Sequence, residues 1–145
     1  MREVLFLCTG NYYRSRYAEA WFNHAAVRRG LDWRAFSRGL VLQPMARLGL
    51  SSHAARRLEA RNIPPHQTAA DPTQVIEADL RRATRIVALK ETEHRPLLAQ
   101  LHPGWEHRVE YWEIDDLDRA APEVTLAAIE SRVDALLADL AGPGG

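Results

Sequence analysis

Short apolar runs alternate with helical patterns along the whole sequence, and this alternation constrains the fold more than any other feature. The strand-like runs occupy residues 4–7, 33–37, 85–89 and 108–112. The helical patterns occupy residues 14–29, 52–61, 72–80 and 92–101, and a last one begins near residue 122. Strands that alternate with helices are typical of a parallel sheet with helices on both faces. We therefore predict an α/β fold, a three-layer doubly wound sandwich in which helices flank a central four-stranded parallel sheet.

The size and composition of the chain indicate one globular domain. Its 145 residues, of which 46% are apolar, suffice for a hydrophobic core without disulfides or metals. We assign residues 1–141 to this single domain and residues 142–145 to a flexible C-terminal tail. A monomer requires no further assumption.

Charge and cysteine content exclude several classes of protein. The 19 basic and 19 acidic side chains cancel, so we expect no general attraction to nucleic acid or to an anionic membrane. The first apolar run is too short for a signal peptide or a membrane span, which makes a cytoplasmic protein the default expectation. The single cysteine excludes an intramolecular disulfide and a cysteine-based zinc site. The six histidines are scattered, and we interpret them as surface or internally satisfied residues rather than metal ligands.

The segment after the first strand has the pattern of an anion-binding loop. It reads CTGNYYRS from Cys8 to Ser15, with Arg14 opening the first helix and Gly10 and Asn11 able to adopt unusual backbone angles. Such a loop turns backbone N–H groups inward, and the helix N-terminus adds partial positive charge. Arg14 can donate two parallel hydrogen bonds to a phosphate. A cysteine six residues before an arginine is common by chance, but this context favours a phosphate site.

The same positive field suits Cys8 to nucleophilic chemistry. It favours the thiolate, which is the reactive form of the side chain. We predict in-line attack on phosphorus to form a phosphocysteine, and Ser15 is close enough in sequence to hydrogen-bond the sulfur. The loop amides and Arg14 supply the charge that a metal would otherwise provide, so we predict no metal and no organic cofactor. The alternative interpretation is a buried, inert cysteine beside a solvated arginine.

The run from Val4 to Asn11, followed by Arg14-Ser15, resembles the N-terminal signature of the low-molecular-weight protein tyrosine phosphatases, which arsenate reductases of the same superfamily share. The resemblance implies that Cys8 is the nucleophile, that Arg14 binds phosphate, that Ser15 assists the sulfur and that Asn11 supports the loop. It also implies a cysteine-dependent phosphomonoester hydrolase acting on a phosphorylated protein or a small aryl phosphate.

Other loop residues are expected to bind the substrate. The predicted set is Thr9, Gly10, Asn11, Tyr12 and Tyr13. The ring of Tyr12 could line a pocket for an aryl phosphate or pack against the sheet, and Tyr13 has the weaker claim to the pocket. In many family members a second cysteine stands at position 13 and protects the nucleophile, so Tyr13 removes that protection here.

Cleavage also requires a proton for the leaving oxygen, and an acidic segment offers it. Asp115, Asp116 and Asp118 follow the last strand, so they belong to the same edge of the sheet as the Cys8 loop. In the family the acid is the Asp of an Asp-Pro pair in this loop. Asp116 matches by position, although Leu117 stands where proline is usual, and Asp115 is the alternative.

Two other functions remain open at this point. The first is an arsenate reductase, which would need an external thiol such as glutathione or mycothiol because the chain lacks the further cysteines that related reductases use. The second is a non-catalytic module that binds phosphate without turnover, in keeping with the departures at Leu117 and Tyr13.

Overall fold

The computed structural model describes residues 1–42 and 48–142, and these form four strands and five helices. In chain order the elements are β1 (Arg2–Cys8), α1 (Arg14–Arg28), β2 (Trp33–Gly39), α2 (Ser52–Ala60), α3 (Glu77–Arg82), β3 (Arg85–Ala88), α4 (Glu91–Leu101), β4 (Glu110–Tyr111) and α5 (Pro122–Leu140). Of the tail predicted at 142–145, residues 143–145 lie outside the described residues.

The four strands form one parallel sheet in the order β2-β1-β3-β4, which confirms the predicted α/β sandwich. Strand β1 is central, and residues 4–7 within it are fully buried. A strand covered on both faces needs apolar residues at successive positions, which explains the continuous Val-Leu-Phe-Leu run. Because all strands are parallel, the loops after β1, β3 and β4 leave the sheet at the same edge.

The helices cover both faces of the sheet. Alternate residues of β1 point to opposite sides, with Val4 and Phe6 in one apolar cluster and Leu5 and Leu7 in the other. The first cluster includes α1, α2 and α5, and the second includes α3 and α4. The helical spacing of apolar residues in the sequence predicts an apolar stripe on α5, and this stripe is buried in the first cluster. It consists of Ile129, Val133, Leu136, Leu137 and Leu140. Within the described residues, no helix combines the length and apolar character needed to cross a membrane.

We expect Leu137→Ala to destabilise the fold by about 2 to 5 kcal/mol, because the truncation removes buried methyl groups and leaves a cavity. Leu137 is fully buried, whereas Val124 on the same helix is 64% exposed and offers a matched control. Urea unfolding of wild type, Leu137→Ala and Val124→Ala measures the difference. If Leu137→Ala lowered the free energy of unfolding by less than about 1 kcal/mol, the result would contradict this packing, because a loss that small is typical of surface substitutions.

The helix predicted at 72–80 is wrong in its first half, because α3 begins only at Glu77. Asp71-Pro72 is a common helix start, but here the backbone pairs with the end of β2 instead. Gly39 donates its N–H to the carbonyl of Thr73 at 2.8 Å and accepts from the N–H of Val75 at 2.9 Å. These backbone contacts hold the segment extended.

Two strand boundaries also differ from the sequence prediction. The second strand is predicted to end at residue 37, but β2 continues to Gly39, because pairing with β1 extends to Cys8 opposite Gly39. Strand β4 spans only Glu110–Tyr111 rather than 108–112, since Arg108 still bonds back into a 3-10 turn.

Candidate active site

The Cys8 loop is shaped by its own backbone and by a close neighbour. Cys8 is the last residue of β1, and Asn11 adopts a left-handed φ of 51° that asparagine tolerates better than most residues. Gly39 passes beside the loop so closely that a Cβ would lie 2.9 Å from the carbonyl oxygen of Thr9. The N–H of Leu40 bonds the carbonyl of Cys8 at 2.9 Å. Glycine at position 39 therefore allows β2 to support the loop directly.

The side chain of Asn11 braces the loop from inside. It is 1% exposed, and its amide nitrogen donates to Ser15 Oγ at 2.9 Å and to Ser37 Oγ at 3.0 Å. Its amide oxygen accepts from the N–H of Thr73 at 2.8 Å. One residue thus ties the loop to α1, to β2 and to the segment before α3. Hydrogen bonds onward from Ser37 reach buried Glu19, whose pKa is raised by burial.

Ser15 lies beside the sulfur of Cys8. The two side-chain atoms, Sγ and Oγ, are 2.9 Å apart, and both residues are buried. Because Asn11 donates to the same Oγ, the hydroxyl hydrogen of Ser15 remains available to the sulfur. This geometry can stabilise a thiolate.

The guanidinium of Arg14 is held by residues that follow β3 and β4. Its side chain is 2% exposed, and Nη1 donates to the carbonyl of Ile114 at 3.0 Å. Nη2 donates to Glu93 Oε2 at 2.6 Å and lies 3.4 Å from Asp116 Oδ2. Burial opposes the charge, but the neighbouring anions outweigh it and raise the pKa of Arg14. The arginine is therefore cationic and oriented before any substrate arrives.

The two candidate acids are separated by their partners. Asp116 faces Arg14, while Asp115 forms an ion pair with Lys90 that lowers the pKa of the Asp115 carboxyl. Asp116 is 46% exposed, and Asp118 lines the same open cleft. Asp116 therefore lies beside Arg14 and remains open to solvent.

Glu93 and His94 complete the site, and sequence reasoning missed both as site residues. They lie in the first turn of α4 directly after β3, at the edge where the Cys8 loop also emerges. Thr9 Oγ1 donates to Glu93 Oε2 at 2.5 Å, and His94 Nε2 lies 3.0 Å from the same oxygen. His94 was expected to be a surface or internally satisfied residue, and the structure shows it fully buried with Glu93 and Thr9 as partners. The signal that could have identified Glu93 and His94 is their position directly after a buried parallel strand, where ligands bind in this class of fold.

The remaining loop residues differ in how they face the cleft. Tyr13 is 5% exposed and belongs to the apolar cluster around α1, with its ring 6.5 Å from that of His53. Burial raises the pKa of Tyr13. Tyr12, Thr9 and Gly10 are half-buried at the rim. Among the described residues, no cluster of three His, Cys, Asp or Glu side chains could hold a metal ion.

A buried cysteine at the end of a parallel strand, with an oriented arginine and a rim carboxylate, defines the class of cysteine-dependent phosphatases. The chain belongs to the low molecular weight phosphotyrosine protein phosphatase family, whose model matches residues 3–142. This confirms the predicted family and makes the chain a phosphatase.

Relatives and solved structures agree with this family. The protein-arginine-phosphatase of Bacillus subtilis is 28% identical over 107 residues, covering 74% of this chain and 67% of the relative. An arsenate reductase of Bacillus cereus is 31% identical over 116 residues, covering 79% and 76%. The low molecular weight protein tyrosine phosphatase of T. tengcongensis superimposes with a TM-score of 0.79 at 25% identity, covering 96% of this chain and 99% of that one. A phosphatase from Vibrio cholerae O395 gives a TM-score of 0.82 at 22% identity, covering 96% of each chain, which supports the fold.

Proposed function

We propose that this phosphatase cleaves phosphate monoesters through a phosphocysteine on Cys8, with a phosphorylated protein or a small aryl phosphate as substrate. The observation that carries the proposal is the placement of Ser15 against the sulfur. Arg14 and Asp116 stand beside each other at the mouth of the same loop. A reaction of this type needs a nucleophile, an anion clamp and a proton donor, and Cys8, Arg14 and Asp116 are our candidates for these three roles.

In the first step, the loop N–H groups and Arg14 hold the phosphate oxygens. The Cys8 sulfur attacks phosphorus, the S–P bond forms and the P–O bond to the leaving group breaks. Asp116 gives its proton to the departing oxygen. The ion pair with Lys90 keeps Asp115 deprotonated, which makes Asp115 the poorer donor.

In the second step, Asp116 is ionised and takes a proton from a water molecule. The water oxygen attacks phosphorus, the S–P bond breaks and phosphate leaves. The hydroxyl of Ser15 stabilises the thiolate of Cys8 as the leaving group. No electron transfer and no cofactor enter this cycle.

The test is hydrolysis of p-nitrophenyl phosphate and of a phosphotyrosine peptide across about pH 4.5 to 8, with EDTA present. We expect metal-independent turnover of both. An inert protein whose melting temperature still rises with phosphate would be a binding module rather than an enzyme. We further propose a monomer located in the cytoplasm. The balanced charge supports the proposal that it has no nucleic-acid or membrane partner.

Arsenate reduction is the second candidate, favoured by the relatives named arsenate reductase at 31% and 32% identity. Arsenate would esterify Cys8, and an external thiol would attack its sulfur, releasing arsenite and leaving a mixed disulfide. A second external thiol would then reduce that disulfide. Arsenate-dependent oxidation of glutathione or mycothiol, absent in Cys8→Ser, would support this function. Absence of oxidation alongside phosphate ester turnover would exclude it.

A further inference from the structure

Glu93 places a negative charge in the wall of the proposed phosphate site. Its Oε2 atom accepts hydrogen bonds from Thr9 and from Arg14, at 2.5 and 2.6 Å. Thr9 belongs to the loop that would hold the phosphate, and Arg14 is the clamp. The side chain of Glu93 is 33% exposed, so it faces the cleft as well as the loop. The chemistry of ester cleavage described above gives this carboxylate no task.

The carboxylate is held in place by a buried histidine. His94 is fully buried, and its Nδ1 accepts from the backbone N–H of Lys90 at 3.0 Å. The proton of the neutral ring therefore sits on Nε2, which donates to Glu93 at 3.0 Å. These hydrogen bonds, from His94 first and then from Arg14 and Thr9, hold the pKa of Glu93 well below its usual range. Glu93 is thus an anion at any pH where the enzyme works.

The local charges do not balance when an ordinary ester binds. Arg14 already pairs with the carboxylate of Glu93, and a phosphate adds further negative charge. Lys90 is committed to Asp115. Arg119 lies in the same cleft but is exposed, so water screens its charge. A neutral leaving group therefore leaves the charge of Glu93 uncompensated.

We propose that Glu93 is a specificity-determining residue that favours phosphorylated groups carrying a positive charge close to the phosphate, such as an ammonium or a guanidinium. Such a cation would donate a charge-assisted hydrogen bond to the carboxylate of Glu93 while the phosphate occupies the loop. This inference rests on the proposed function, because it requires the phosphate to bind at Cys8.

Two inhibitors that differ by one ammonium group test the inference. O-phosphoethanolamine and ethyl phosphate are compared as competitive inhibitors of p-nitrophenyl phosphate hydrolysis. We expect wild type to bind O-phosphoethanolamine the more tightly, and Glu93→Gln to reduce the ratio of the two inhibition constants roughly tenfold, the size expected for one charged hydrogen bond at a partly exposed site. Glu93→Asp keeps the charge and should keep much of the preference. Raising the salt concentration should also bring the two inhibition constants of wild type closer together, because salt screens the interaction between the ammonium and Glu93.

Glu91→Gln is the matched control. Glu91 lies in the same first turn of α4, but its carboxylate pairs with Arg95 and not with the loop. The ratio of the two inhibition constants in Glu91→Gln should equal that of wild type.

Equal inhibition constants in wild type, or an unchanged ratio in a folded Glu93→Gln, would overturn the inference. If Cys8-dependent turnover persists in that case, the proposed function stands. If wild type shows no turnover, the proposed function fails first and the inference falls with it.

Discussion

Cys8→Ser is expected to reduce phosphatase turnover by roughly 10⁴-fold or more, because a serine hydroxyl at this position has no general base to activate it. The side-chain hydroxyl of Ser15 lies next to the Cys8 sulfur, with Oγ at 2.9 Å, and a neutral hydroxyl is too weak a base to deprotonate a serine at position 8. The substitution keeps the size of the side chain and leaves the loop amides and Arg14 in place.

Phosphate binding should therefore survive in Cys8→Ser. The measurement pairs initial rates on p-nitrophenyl phosphate with the rise in melting temperature caused by inorganic phosphate. Ser51→Ala is a useful control, since Ser51 is a buried serine at the start of α2 whose side chain makes no capping hydrogen bond. A Cys8→Ser protein that retains turnover within about tenfold of wild type would refute nucleophilic catalysis by the cysteine.

Asp116→Asn is expected to lower turnover by about 10²- to 10⁴-fold, the usual contribution of a general acid, whereas Asp115→Asn should change it little. The physical difference lies in their partners. Asp116 faces Arg14 at the mouth of the loop, and Asp115 is paired with Lys90.

Two substrates make the test of the acid sharper. p-Nitrophenolate leaves with little protonation, whereas the phenolate of phenyl phosphate needs a proton, so the loss in Asp116→Asn should be larger on phenyl phosphate. The measurement is kcat/KM for both esters in wild type and both variants. Equal losses in Asp115→Asn and Asp116→Asn would show that the pair acts together, and a larger loss in Asp115→Asn would reverse the assignment.

The parts of the site that could be predicted from sequence are those formed by consecutive residues. Cys8, Arg14 and Ser15 lie on one strand, one loop and the first turn of one helix, so local pattern and helix geometry bring them together. The buried β1 run and the stripe on α5 were likewise evident, because periodicity reports burial directly.

The rest of the site depends on the order and register of the strands. Glu93 is close to Arg14 only because β3 lies beside β1, and alternation of elements does not specify which strands are neighbours. The extended segment before α3 was mistaken for helix because backbone pairing with Gly39 overrides the helix-start signal of Pro72. The close approach of Gly39 to Thr9 is also a contact between segments distant in sequence, and no local sequence pattern predicts it.

The most direct test of the central claim is to trap the phosphocysteine. Wild-type enzyme mixed with p-nitrophenyl phosphate and quenched rapidly should carry one phosphoryl group on sulfur, detected by phosphorus NMR and by the mass of the peptide containing Cys8. Cys8 is the single cysteine of the chain, so a phosphorus–sulfur signal has one possible origin. Appearance of that adduct at a rate at least equal to turnover is the predicted result. Steady turnover with no phosphoryl group on sulfur, or with the group on another residue, would contradict the account.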